Sequence, residues 1–470
     1  MGLSLFNRRI CDTYDGVIKT CDNASISVTP KPMTDGLGND VPINIGTSTI
    51  CYTGTQDFTG ATVVGISGAT AGLVSGVGTN SMISSSGLAT LATADGSCSI
   101  SIGNGAYNDQ QRSISIGQGA TGLCEYSLAM GFGSTSNGLT AISIGDNTGA
   151  VGGSSIAFGS SAQANGSRAT ALGPTTSACA DNAIAVGYNA GVFAANGIAI
   201  GCDADVSSAG NGSISLGFCA RSQADKTIAI GYNTTVLNVT AFESIVMGNG
   251  ATSRDAYGVV LGAGAQTCIN GEGSIVIGKT STAVQDESIA IGAIACAEGR
   301  CGIAIGSGTI ACGNQSMAIG HQSITCGTNC NFTIAIGNNV ESTGFAVGIG
   351  RNVTACYNSF VMGVNACAIQ SGVSVGTGCA FGVCSIAIGL IATTTLTGSR
   401  GIAIGCNACV THNAAAAIGD NVFSTRANVL TTCEFESCVA GCGLIVKTPN
   451  GLNSYRIAVD NSGNITTALA

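Results

Sequence analysis

Ser288-Ile-Ala-Ile-Gly-Ala-Ile-Ala295 is followed by Gly302-Ile-Ala-Ile-Gly-Ser-Gly-Thr309 and then by Ser316-Met-Ala-Ile-Gly-His-Gln-Ser323, each fourteen positions on. Working outward, the unit recurs 23 times, with marker glycines from Gly103 to Gly419. Of the 22 intervals between markers, 13 span fourteen positions, four span thirteen, three span sixteen and two span seventeen. The residue before the marker is large and apolar in all 23 copies. The residue three before it is large and apolar in 21, with Thr170 and Ala416 as exceptions. Ser, Ala, Val or Gly stands between them, and the residue three after the marker is small, as in Ala106, Ser134, Thr148, Val340 and Cys379.

Large-small-large is a period of two, the signature of a short strand. Gly then turns the corner, where a positive φ or a close backbone approach excludes other residues. A second, shorter strand returns. The repeat therefore predicts an all-β parallel β-roll, or β-solenoid, of about 14-residue coils, 23 of them, stacked roughly 4.8 Å apart. Its structural positions are the apolar–glycine pairs Ile102–Gly103, Ile116–Gly117, Ile230–Gly231, Ile291–Gly292, Ile305–Gly306 and Ile404–Gly405. The two large side chains of each strand are expected to face inward and the small residue between them outward. Each coil depends on its neighbours, so both ends need caps. The outward wall then reads as a long apolar stripe of small residues, which marks an interface. Side-by-side homo-oligomerisation follows, with no stoichiometry from the repeat itself.

Composition agrees. Of 470 residues, 71 are Gly and 23 Cys, none is Trp, and only 9% are charged against the usual quarter. Collagen is excluded by five Pro and the absence of a three-residue glycine period. Disorder is excluded by 45% apolar residues and a mean hydropathy of +0.41. The net charge is −9 with 16 Lys and Arg thinly scattered, so no basic stripe for nucleic acid exists. No run of about 20 residues is apolar enough for a membrane span. Met1 to Ile10 lacks the pattern of a secretory signal, so cytoplasmic synthesis is expected, with thiols mostly reduced. An odd cysteine count leaves at least one unpaired within the chain.

Residues 1–60 hold three of the five prolines and read as a small attachment domain. Residues 61–96, rich in Gly, Ser, Thr and Ala, read as an irregular neck. Residues 97–428 are the coils, and 429–470 a β-hairpin cap. The longer coils, such as Gly201–Gly217, Gly231–Gly248 and Gly389–Gly405, are expected to bulge at corners.

Several motifs carry the letters of a chemical site. Gly273-Ser-Ile-Val-Ile-Gly-Lys-Thr280 fits a phosphate-binding loop by letter, but its variable residues are the repeat strand and no helical pattern follows. His321 and His412, the two histidines, are 91 positions apart and read as exposed loop residues. Cys326/Cys330, Cys438/Cys442 and Cys406/Cys409 are closely spaced, without the four converging ligands zinc requires. Cys312 and Cys326 should stack on adjacent coils, where parallel side-chain directions disfavour a disulfide. Cys433, Cys438 and Cys442 in the cap are the best candidates for interchain bonding or a metal. No catalytic set, metal site or cofactor site is identified, and a non-enzymatic role is expected.

The motif Ser-Ile-Ala-Ile-Gly-x-x-Ala, at Ser288–Ala295 and Ser385–Ala392, resembles the head repeats of YadA-type trimeric adhesins over about residues 97–424. That resemblance implies a homotrimer of left-handed parallel β-rolls. The export signal, coiled-coil stalk and membrane barrel of those adhesins have no counterpart here, so the sequence reads as a head module in a different protein. Leu444-Ile-Val-Lys-Thr-Pro-Asn-Gly-Leu-Asn-Ser-Tyr-Arg-Ile-Ala-Val-Asp-Asn-Ser-Gly-Asn464 resembles terminal segments of bacteriophage and viral fibre proteins, as residues 12–60 do more loosely. Physically it is a hairpin with a Pro-Asn-Gly turn. Together these resemblances imply a fibre located in a virion. Residues 1–60 would dock on a capsid or tail protein, and the fibre would engage a host-surface receptor, glycan or protein. The alternative is a cellular trimeric adhesin or surface fibre at the cell exterior. An ice- or crystal-binding solenoid would need a regular Thr ladder, which is absent.

Overall fold

The computed structural model describes residues 19–20, 25, 29, 31–34, 40–45, 50–52, 72–85, 92–237, 240–268, 272–326, 331–432, 444–447, 453–459 and 462–469. The chain divides into two units, Met1–Ala69 and Thr70–Ala470. In the first, Lys19–Thr20, Lys31–Thr34, Asp40–Ile45 and Ile50–Tyr52 form an antiparallel four-stranded sheet in sequence order. No helix occurs among the described residues.

The second unit is built on a 48-stranded sheet of stacked coils. The coil around Gly292 shows the plan. A long strand, Ile289–Ile291, leads into the marker, and a short strand, Cys296–Ala297, follows it. Each pairs in parallel with its counterpart one coil on: Ala290 with Ala304, and Ala297 with Ala311. All 23 marker glycines have φ between 111° and 151°. Two further places per coil are left-handed. In this region they are Ile294 (φ 59°), just after the marker, and Cys301 (φ 52°), just before the next long strand. The same places are held elsewhere by Asn189 and Asn196, whose amides join coils: Asn182 Nδ2 donates to Asn196 Oδ1 at 3.0 Å, and Asn189 Nδ2 to Asp203 Oδ1 at 2.8 Å.

The predicted alternation is present with its phase reversed. Ser288, Ala290, Ala295 and Ala297 are all 1% exposed or less, whereas Ile289 and Ile291 are half-exposed. The large residues Ile102, Ile116, Ile230, Ile291, Ile305 and Ile404 likewise sit half-exposed on the outer face. The small residue between each pair is the core. The reason is volume. The two strands of a coil lie so close that hydroxyls span the interior: Ser215 Oγ meets Ser222 Oγ at 3.0 Å, and Ser134 Oγ meets Ser143 Oγ at 3.2 Å. An Ile side chain has no space there. At several places where the core holds Val, a glycine faces it. A Cβ on Gly348 would stand 2.9 Å from Val340 Cγ1, and one on Gly401 2.8 Å from Val410 Cγ1.

Four coils between Gly337 and Gly389 are each one position shorter than the usual step. In the first two of this tract, long and short strands fuse into ten-residue strands, Ile334–Thr343 and Val347–Cys356. The described insertions of longer coils, at 208–209 and 396–397, are turns at the corner after the short strand. Those at 238–239, 269–271 and 327–330 include residues outside the described set.

The stack reaches further than the repeat count at both ends. Gly72–Ser75 pairs antiparallel with Met82–Ser85, which in turn pairs parallel with Ile100–Ser101. Thr93–Ala94 pairs with Tyr107–Asn108. Residues 82–83 and 93–94 thus belong to a coil, within the stretch expected to be an irregular neck. Leu430–Thr432 pairs on Ala416–Ile418, past the expected limit at 428. The C-terminal hairpin, Leu444–Lys447 with Ser454–Val459, gains a third antiparallel strand, Ile465–Leu469.

Candidate interaction face

The two outward positions of each long strand build two columns along the stack. They hold Ile, Leu, Val, Met and Phe almost throughout, and no charged side chain enters either column from Ile100 to Ile418. Exposure is large for residues of this type: Phe158 is 54% exposed, Ile200 41% and Met362 43%. The face is a continuous apolar surface kept in line by in-register parallel pairing, with the marker glycines bounding one edge. A surface of this extent is far beyond the few hundred Å² normal for a soluble monomer. The stripe consists of Ile pairs, whereas the small residues expected to form it are buried.

The outer face of the short strands is mixed and polar. Ser177, Gly191, Asp205, Arg221, Thr235, Thr252 and Gln266 follow one another along one column. An open groove of about 410 Å³ lies here, lined by Asn189, Phe193, Asp203, Asp205 and Arg221 among others. Gly191 leaves the depression, and the Phe193 ring folds over it. The hydrogen bond from Asn189 holds the Asp203 carboxyl below its ordinary range, with the Cys202 thiol adding to the effect. Burial pushes Asp205 up, opposed by Arg221. At the marker corner, exposed aromatics stack between coils, with the Phe218 and Tyr232 rings 5.2 Å apart.

The residues singled out for chemistry fall apart in space. His321 ends the strand Met317–His321 and is exposed, a strand residue where a loop was expected. His412 is exposed, its Nδ1 2.8 Å from Thr411 Oγ1. Gly273–Thr280 contains the strand Ile275–Ile277 and a turn, with no helix after it. No group of three or more His, Cys, Asp or Glu converges among the described residues. Cys406 sits in a marker corner and Cys409 opens the next short strand. Cys330, Cys433, Cys438 and Cys442 lie outside the described residues. Cys312 and Cys326 do stack, with their Sγ atoms 3.3 Å apart. Cys367 and Cys379, which the sequence did not bring to notice as a pair, are in-register partners.

A family model described as the YadA head domain repeat (2 copies) matches residues 125–148, 150–175, 180–201, 208–234, 270–293 and 297–323. All six stretches lie in the coil stack and together cover about a third of the chain. No curated protein matches the chain.

Proposed function

We propose, from a chain whose coil stack carries YadA head repeats, that three copies pack through their apolar faces into a fibre of a virus or bacteriophage particle that attaches to a host surface. The observation that carries this reading is the uncharged face of the long strands, which runs from Ile100 to Ile418 with two large apolar side chains turned outward in nearly every coil. Three such faces around one axis bury each other, and the polar short-strand faces remain outside. Residues 1–60 serve as the anchor on the particle and the C-terminal sheet as the distal end. Attachment works by avidity, since three chains per fibre and many fibres per particle turn weak contacts into a durable one.

Light scattering on the purified chain tests the assembly. The expected mass is three times 46.0 kDa, with and without reductant. A 46.0 kDa species removes the shared-face argument. Antibodies to each end, applied to intact particles, test the placement. The C-terminal sheet should be labelled and residues 1–60 shielded; the opposite pattern reverses the polarity. Finding the chain in cell envelopes and not in particles favours the second reading, a cellular surface fibre built on the same trimer.

A further inference from the structure

Two pairs of cysteines stand one above the other on successive coils. Cys312 and Cys326 each follow a short strand, Ile310–Ala311 and Ile324–Thr325, and their Sγ atoms are 3.3 Å apart. Cys367 and Cys379 each open a short strand and are register partners on successive coils. Parallel neighbours have Cα atoms roughly 4.8 Å apart, within the roughly 4.4–6.8 Å that a disulfide bridges. The parallel side-chain directions expected to disfavour a bridge do not keep the sulfurs of Cys312 and Cys326 apart: turning χ1 on each side need close them by only about 1.2 Å to reach the bond length. All four residues are half-exposed, so a small oxidant reaches them.

We propose that these stacked pairs are oxidation sites that close into disulfides between successive coils, with a low-molecular-weight disulfide such as oxidised glutathione as the oxidant. The Cys379 thiolate attacks one sulfur of the oxidant, the oxidant's S–S bond breaks, and one glutathione thiolate leaves and takes a proton from water. Cys367 then releases its proton to water and attacks Cys379 Sγ, displacing the second glutathione. The two protein thiols give up two electrons and two protons, and the oxidant is reduced to two thiols. Cys312 and Cys326 follow the same two exchanges.

The surroundings set the order. The hydrogen bond donated by Cys367 favours the Cys379 thiolate and holds that thiol below the usual range, while Cys367 is held above it. Burial, the Cys326 thiol and the Glu298 carboxylate one coil away all keep the proton on Cys312. Cys379 is therefore the first attacker in its pair, since exchange needs the thiolate. The links run along the stack within one chain and do not rest on the trimer reading.

The test incubates the full-length chain with oxidised glutathione, quenches with acid, alkylates free thiols and digests with pepsin for mass spectrometry. Cys312–Cys326 and Cys367–Cys379 are expected joined and unalkylated, and the denatured, unreduced chain should still run at 46.0 kDa. In Cys367→Ser, whose substitution lies on the surface, Cys379 should retain glutathione as a stable adduct. Alkylated thiols at these positions, separate persistent adducts on both members of a pair in the unaltered chain, or bands of two or three chains overturn the proposal.

Discussion

At Gly145 the backbone runs at φ 139°, and a Cβ there would stand 2.6 Å from the carbonyl oxygen of Gly159 on the next coil. Both the dihedral and the space exclude a side chain. Gly145→Ala should cost about 3 kcal/mol or more, from strain plus displaced backbone. The readouts are a lower thermal midpoint and lost amide protection in the adjoining coils. Gly153→Ala is the control, because a Cβ there meets nothing within 4 Å. The marker glycines were legible because one letter recurs in every copy. The other left-handed positions were not, since Asn, Tyr, Arg, Thr, Ile and Cys all occupy them. There the ladder of backbone hydrogen bonds imposes the conformation against the residue's own preference. Asp255 is a second residue the pattern did not reveal. It is 2% exposed, in the inward corner column that Ala224 and Ala241 occupy on earlier coils. Burial raises its pKa from 3.8 to about 6. The Thr267 and Ser274 hydroxyls and the Arg254 amide oppose that rise, yet neither carboxylate oxygen closes a hydrogen bond. A folded pKa above the unfolded one means the fold favours the protonated acid. Stability is intact below pH about 4 and falls as pH rises to about 6, by about 3 kcal/mol in all. Asp255→Ala should raise the thermal midpoint at pH 7.5, leave it unchanged near pH 3.5, and flatten the profile between.

The strand shows where reading a sequence succeeds and where it fails. Alternation fixes that Ile289 and Ile291 share one side and Ala290 takes the other, whatever the context. It does not say which side is inside. The general rule puts large apolar residues in the core, and for a wide barrel or sandwich that rule suffices. Two strands in so short a coil enclose room mainly for Ala, Ser, Thr and Val, and none for a pair of Ile side chains. The width of the coil decides the phase, and a one-residue shift reverses every side chain. The reversal makes opposite predictions for neighbouring residues. Ile303→Asp places a charge on the outer face, so the coils should keep their β-sheet circular dichroism while the mass falls to 46.0 kDa. Ala304→Leu overfills a core position that is 0% exposed. It should lower the thermal midpoint sharply, as overpacking with no room to relax does. Equal behaviour of the two variants would mean that the phase is wrong. The Cys367–Cys379 pair escaped notice for a related reason. The corner after Gly376 is one residue shorter than its neighbours, so a count of positions from the marker places the two cysteines in different columns.

Across the second unit, the division of labour is by face: apolar on the long-strand side, polar on the short. The three-stranded C-terminal sheet is unlike the coils. Leu444–Lys447 and Ile465–Leu469 are exposed at every position, with Leu444 at 52% and Ile465 at 75%. An antiparallel sheet that buries neither side is unstable alone. Its apolar residues, like the Ile columns, lie exposed. The overall plan was legible because a motif repeated 23 times averages out local noise. Its two ends were less so. The strand at Met82–Ser85 and that at Leu430–Thr432 join the stack by backbone pairing without the marker glycine that identifies every other coil.

The uneven coils carry a consequence for alignment. A stack of interchangeable steps could dock against a copy of itself one step out of frame, losing contacts only at the two extremities. Such near-degenerate arrangements would invite staggered, open-ended growth. The four narrow coils after Gly337 and the five wide ones scattered from Gly201 to Gly405 break that equivalence. In the proposed trimer they would act as index marks on a ruler. Any displacement sets a narrow coil beside a regular one and a bulged corner against a flat wall, so only the zero offset satisfies all the marks together. The uneven spacing would give the proposed trimer a single register.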